Sequence, residues 1–438
     1  MTKIKESCLD IINCESKTIE DEAGANCLSV KNMMVACFKG GTPKYVEKSK
    51  TLVLNQKCIR NNTIDFSLAQ YIPDDSIKNS EKEIRVGDLL INSTGEGTAG
   101  RCAFVSLLPD NIRVTVDSHM LIVRFSNLEL SRIFSYFFYN NEKLMLSLLT
   151  GSSGQGEFDK ERAFNIKFPY NKKNQSVFCY IFDHIANKIE LNNKINQELE
   201  KTAKDLYNYW FVQFDFPDGN KRPYKSSGGK MVYNDVLKRE IPEGWTVENI
   251  TDNRLSKILK PGIKQFDGQK IYLPTAAVEN DRIIDKSNLI TYDNREGRAN
   301  MEPVDNSVWF AKMKNTKKVL YFGDYSSQRI SQTILSTGML GLKCVENALE
   351  YIWNFVNDDS FEAVKNKLSH GATQEGVNND DLLYFPMLIP SIETLRDYSV
   401  LVKDLYKQKY FNEIENECLA ELRDFLLPML MNGQVSVS

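Results

Sequence analysis

Short apolar runs broken by turn residues alternate along this chain with two long stretches free of proline and glycine. The runs Thr51 to Asn55, Val86 to Ile91, Cys102 to Leu107 and Leu121 to Phe125 read as strands in the first half. Lys270 to Leu273, Val308 to Ala311 and Val319 to Phe322 do the same in the second. The long stretch from Ser176 to Val212 places Ile185, Asn192, Leu199 and Leu206 seven apart, with Ile181, Ile195, Thr202 and Tyr209 as an offset line. That is a heptad seam, and the helix it predicts is roughly 55 Å long at 1.5 Å rise per residue. The second stretch, Ile392 to Leu427, carries Phe411, Cys418 and Phe425 seven apart beside Ile414, Leu422 and Met429, with Pro428 and Gly433 as stops.

These elements recur. Gly151-Ser152-Ser153-Gly154-Gln155-Gly156 is echoed 220 residues on by Gly371-Ala372-Thr373-Gln374-Glu375-Gly376. Each loop is followed by an apolar stretch ending in Phe-Pro and then by a long helical segment, so the chain is a duplication. Two helices of matching length at matching positions can pair in antiparallel fashion, and Asn192 in the seam can fix their register, although a solvent-facing asparagine is equally simple. Between the halves, Phe216 to Gly244 is rich in Pro, Gly, Ser and Lys and reads as a linker or extended connection.

Composition narrows the chemistry. With 438 residues, 42% hydrophobic and 26% charged, the chain holds two or three globular domains. No apolar stretch is long enough to span a membrane, and the first ten residues lack a signal-peptide core, so a soluble cytoplasmic protein is expected. Nine dispersed cysteines with no C-x-x-C spacing and three scattered histidines give no zinc pattern. The net charge of -3 excludes bulk attraction to a polyanion and leaves room only for local basic patches.

Catalytic motifs fail on context. Gly95-Glu96-Gly97-Thr98-Ala99-Gly100 matches G-x-G-x-x-G, but a strand and not a helix follows, so it reads as a β-turn. No phosphate-binding G-x-x-x-x-G-K-[ST] loop, no Pro-Pro-aromatic methylation loop, no acidic-x-Lys nuclease triplet downstream of a Pro-Asp and no G-x-S-x-G is present. The reading is a non-catalytic chain, with no catalytic residue, no metal site and no cofactor of its own. What remains is a basic, amide and aromatic cluster in each half. The first runs from Lys39 to Asn62 and includes Lys44, Lys57, Arg60 and Asn61, joined by the turn from Ser93 and Thr94 to Arg101. The second includes Lys312, Lys314, Lys317, Gln328 and Arg329. Such side chains grip phosphates and read base edges, while a solvated charged face explains any one of them as simply.

Several runs are also familiar together. "GGTPKY" with "LVLNQKCIRNNTIDFS", "VGDLLINSTGEGTAGRCAFV", "LYNYWFVQFDFPDGNKRPYKSSGGKMVYNDVLKREIPEGW" and "LRDFLLPMLMNGQVSV" resemble the specificity subunits of type I DNA restriction-modification systems. The resemblance covers nearly the whole chain, least well in the middle of the second half. It implies an α+β fold of two tandem α/β target-recognition domains, separated and followed by long helices that form an antiparallel coiled coil. The boundaries are residues 1–175 for the first recognition domain, 176–213 for the first spacer helix, 214–245 for the linker, 246–390 for the second domain and 391–432 for the second helix. The implied role is reading a bipartite, asymmetric site on double-stranded DNA, in phage defence. The implied partners are two methyltransferase subunits, which use S-adenosylmethionine, and two restriction/translocase subunits, which use ATP and Mg. The rival is a coiled-coil adaptor whose duplicated domains bind protein.

Overall fold

The computed structural model describes residues 26–60, 62–95, 97–140, 142–150, 156–170, 172–371 and 375–431. Contacts divide the chain into two units, 1–190 with 416–438 and 191–415. Asn61, Gly151 to Gln155 and Ala372 to Gln374 lie outside the described residues.

In the first unit, strands β1 (Met34–Lys39), β2 (Thr51–Leu54), β3 (Leu89–Asn92), β4 (Cys102–Phe104), β5 (Arg113–Val116) and β6 (Met120–Phe125) form two sheets. One has the antiparallel order β1-β6-β3-β4, and the other pairs β2 in parallel with β5. The central strands are apolar at successive positions because both of their faces are covered. Leu89, Ile91, Leu121 and Val123 point into one cluster with Phe134 and Phe138 of helix α1 (Leu128–Asn140), while Leu90, Met120 and Ile122 point into another with Leu54 and Val116.

The second unit repeats the plan with β7 (Ser256–Ile258), β8 (Lys270–Leu273), β9 (Ser307–Ala311), β10 (Val319–Phe322), β11 (Thr333–Ser336) and β12 (Met339–Cys344). The antiparallel order is β7-β12-β9-β10, and β8 runs parallel to β11. Val308 and Phe310 face one core and Trp309 the other. Gly341 opposes Trp309 across the sheet, and a Cβ there would lie 2.6 Å from the indole ring, so the buried tryptophan demands a glycine. In each unit a strand from the start of the domain pairs with one from its end, Asn26–Ser29 with Lys167–Tyr170 and Thr246–Asn249 with Pro386–Ile389.

The long helices are α2 (Lys172–Tyr207) and, after α3 (Leu349–Val356) and α4 (Asp359–Leu368), α5 (Ile392–Met431). α2 begins four residues before the expected Ser176, and its last turn, Asn208–Val212, relaxes into a π-helix. α5 continues through Pro428, the expected stop. Within the second unit the helices run antiparallel. Asn192 Nδ2 donates to Glu415 Oε2 at 2.7 Å, Asn412 Nδ2 to Asn196 Oδ1 at 2.8 Å, Glu200 pairs with Lys409, and Tyr398 Oη donates to Ala203 O at 3.4 Å. Within the first unit Phe182 and Leu426 share one core.

The line Ile185, Asn192, Leu199 and Leu206 does face inward, with Asn192 at 1% exposure. Of the companion line only Ile181 packs against a core; Ile195, Thr202 and Tyr209 are exposed, and Phe182, Asn196, Ala203 and Trp210 hold the buried positions. In α5 the stripe Phe411 and Phe425 is exposed, and Leu395, Tyr398, Val402, Lys409, Asn412 and Leu426 are buried. The connection from Phe216 to Gly244 is folded. Phe216 stacks on Tyr224 and on Trp245 at 4.7 and 4.9 Å, and a hairpin joins Met231–Asn234 to Arg239–Pro242.

Candidate nucleic-acid interface

The candidate residues converge on equivalent places of the duplicated fold. Ser93, Thr94 and Arg101 belong to the turn between β3 and β4, and Lys312, Lys314 and Lys317 to the turn between β9 and β10. Ser93 N donates to His119 O and Ser93 O accepts from Phe158 N, both at 2.7 Å. Lys312 N likewise donates to Gly338 O at 3.0 Å, and Lys312 O accepts from Val377 N at 2.9 Å. Ser93 and Lys312 therefore hold the same position in the two units. Thr94 then bridges to Glu157, the residue after the first Gly/Gln loop, and Met313 to Gly376, the last residue of the second.

A second feature adjoins each turn. The 3-10 turn Gln56–Cys58 follows β2, and Thr275–Ala277 follows β8. Asn92 Nδ2 donates to both Gln56 O and Thr98 O, at 3.0 and 3.1 Å, and Thr98 Oγ1 donates to Gln56 Oε1 at 2.7 Å. In the second unit Lys318 Nζ donates to Thr275 O at 2.7 Å. The G-x-G-x-x-G segment is thus the expected hairpin turn, with Gly95, Gly97 and Gly100 at positive φ. Lys57 is exposed on the 3-10 turn, Arg60 on the short hairpin Ile59–Arg60 with Thr63–Ile64, and Lys44 on the segment between β1 and β2. That segment crosses the β5–β6 connection so closely that a Cβ on Gly40 would sit 2.1 Å from the carbonyl oxygens of Val116 and Asp117.

The two sites differ in charge. Around the first, Lys44, Lys57, Arg60 and Arg101 are exposed and, among the described residues, join no ion pair. Sequence reasoning missed His119, whose Nδ1 lies 2.6 Å from Thr94 Oγ1, and Asp117, whose carboxyl is pushed up by burial against a hydrogen bond from His119 N. No local signal marks them, because the contact spans 25 residues. Around the second, Lys314 pairs with Glu375 at 2.7 Å and Lys317 with Asp359 at 2.6 Å, and burial pulls the Lys312 ammonium down. Gln328 is exposed on the short helix Ser327–Gln332, but Arg329 turns to α5, pairing with Glu413 at 3.2 Å over the ring of Tyr410. It is not brought to the turn.

A profile of the "Type I restriction modification DNA specificity domain" matches residues 37–201, from β1 into α2. Residues 37–201 are thus similar to a type I specificity domain. It is similar to the HindI type I restriction enzyme specificity subunit of Haemophilus influenzae, at 23% identity over 410 residues, 81% of this chain and 88% of that one. The MjaIX specificity subunit of Methanocaldococcus jannaschii is 24% identical over 314 residues, 67% of each chain. The S subunit of the type I restriction-modification system of M. genitalium shares the fold, with a TM-score of 0.50 at 11% identity over 97% of this chain and 99% of that one. The match ends at residue 201, and the repeated strand order shows the same plan in the second unit.

Proposed function

We propose that this chain is the DNA-recognition subunit of a type I restriction-modification complex, in which each unit reads one half of a split, asymmetric target. The observation that carries this reading is the duplication of one specificity-domain plan with the candidate contacts on equivalent turns. Exposed Lys44, Lys57, Arg60 and Arg101 are suited to phosphate contacts that fix register, and hydroxyl and amide groups such as Thr94 and Gln328 to base edges. The helix pair would hold the unread gap. Chemistry would come from partners in the cytoplasm: two methyltransferase subunits that use S-adenosylmethionine to methylate adenine, and two restriction/translocase subunits that use ATP and Mg.

The test is to combine the full chain with a type I methyltransferase subunit and to map modified adenines on a methylation-free genome. The expected result is one split motif with a fixed gap, together with DNA affinity that falls steeply as salt rises. Failure to bind duplex DNA, with capture of a protein partner alone, would favour the adaptor reading.

A further inference from the structure

On one side the turn from 312 to 318 is held by helix α4. α4 is fixed to the core by Phe361, whose ring meets Phe310 of β9 at 5.0 Å and Phe385 at 4.7 Å. From that anchor its next residues reach the turn in sequence. Lys365, at 1% exposure, donates from Nζ to Ala311 O at 3.0 Å and to Thr316 O at 2.9 Å, so one ammonium ties both limbs of the turn. Glu362 pairs with that ammonium at 2.9 Å and accepts from Thr316 N at 3.1 Å. Asn366 Oδ1 accepts from Asn315 N at 2.8 Å, and Asn315 sits at φ 52°, the left-handed conformation that lets the turn reverse. Residues 362, 365 and 366 share one helical face, as this task requires.

A lysine this buried would ordinarily be expelled to water, since a desolvated charge is tolerated only when fully hydrogen-bonded. Here two carbonyls and a carboxylate saturate its three donors. The first unit does the same job by other means, through Asn92, Gln56 and Thr98. The equivalent turns are therefore shaped by unrelated residues, which is what two independently varying readers require.

We propose that α4 sets the conformation of the 312–318 turn, with Lys365 and Asn366 as positioning residues, and thereby determines base selection at one half-site of the target. This rests on the function proposed above. The wild-type chain, Lys365→Met and Asn366→Ala are each assembled with the methyltransferase, and modified motifs are read genome-wide alongside salt-dependent binding to a non-specific duplex. The expected result is an about ten-fold fall in discrimination between cognate and non-cognate bases within one half-site, which converts to about 1.4 kcal/mol. The other half-site, the gap and the non-specific affinity stay unchanged. Lower modification of every site with undiminished discrimination would reduce α4 to a stabilising element and overturn the inference. So would folded variants with the wild-type motif. Should Lys365→Met fail to fold, Asn366→Ala decides, because it removes one hydrogen bond from a half-buried position. A wild-type complex that modifies no split motif would instead overturn the proposed function, and this inference with it.

Discussion

Replacing Lys409 by Met puts electrostatic strain on the second unit. Lys409 is 6% exposed and pairs with Glu200 of α2, with Asp281 of the recognition fold at 2.7 Å and with Glu413 at 3.6 Å. Burial opposes its charge, but three carboxylates raise its affinity for the proton. Methionine keeps the volume and removes the charge, leaving the largely buried Asp281 and the partly exposed Glu200 without the ammonium that pairs them, a change that costs about 3 to 5 kcal/mol. At about 2 to 4 °C per kcal/mol for a domain of this size, the thermal midpoint of the second unit should fall by roughly 6 to 20 °C at pH 7.5. The pH dependence fixes the cause. In the native chain burial works against the Asp281 carboxylate, yet Lys409 holds it low, so its contribution is present above the ordinary carboxylate range and lost as pH falls through the depressed value. Burial raises Glu200 despite Lys409. Without Lys409 both carboxyls rise, so the folded variant takes up protons more readily than the unfolded chain and regains stability as pH falls toward 5. Melting curves from pH 5 to 8 read this directly. An unchanged midpoint at pH 7.5, or a deficit that widens toward pH 5, would refute the argument.

Other substitutions test separate parts of the account. Asn196→Leu or Asn412→Leu should each cost about 1 to 3 kcal/mol by stranding the partner amide, while the double variant should recover much of the loss in a double-mutant cycle. Phe411→Ser and Phe425→Ser should stay within about 0.5 kcal/mol of the parent in denaturant melts, whereas Phe182→Ala, at a fully buried site, should lose about 3 to 5 kcal/mol. Lys57→Ala should weaken binding to all DNA sequences and reduce the salt slope by about one, measured by anisotropy titration. Arg329→Ala should leave that slope unchanged and lower thermal stability, because its partners are Glu413 and Tyr410.

Much of the fold was legible in the sequence. Lys270–Leu273 and Val319–Phe322 are strands over the residues expected, because short apolar runs bounded by turn residues mark strands. The helix seams were half legible. A heptad admits a second line at either of two offsets, and the true one in α2 passes through the polar Asn196 and the small Ala203, which mark it weakly between Phe182 and Trp210. In α5, Lys409 and Asn412 occupy buried positions that read as surface, so the exposed Phe411 and Phe425 took their place. The segment from Phe216 to Gly244 read as a linker by its Pro, Gly and Ser content, yet Phe216 and its neighbour Trp245 outweigh that composition by stacking into the core. At the candidate interface the first turn was legible from its glycines, and the second only as a basic cluster between two predicted strands. Their supports were not, because Lys365 and Asn366 act on residues 49 to 54 positions away.

The central claim is that two equivalent units read DNA separately, and exchange of residues 246–390 for the corresponding region of a related specificity subunit tests it most directly. Modified adenines are mapped genome-wide for the parent and the chimaera, each assembled with the same methyltransferase. The account expects one half of the motif to change while the other half and the gap between them hold. A chimaera that alters both halves, or the gap, would contradict it.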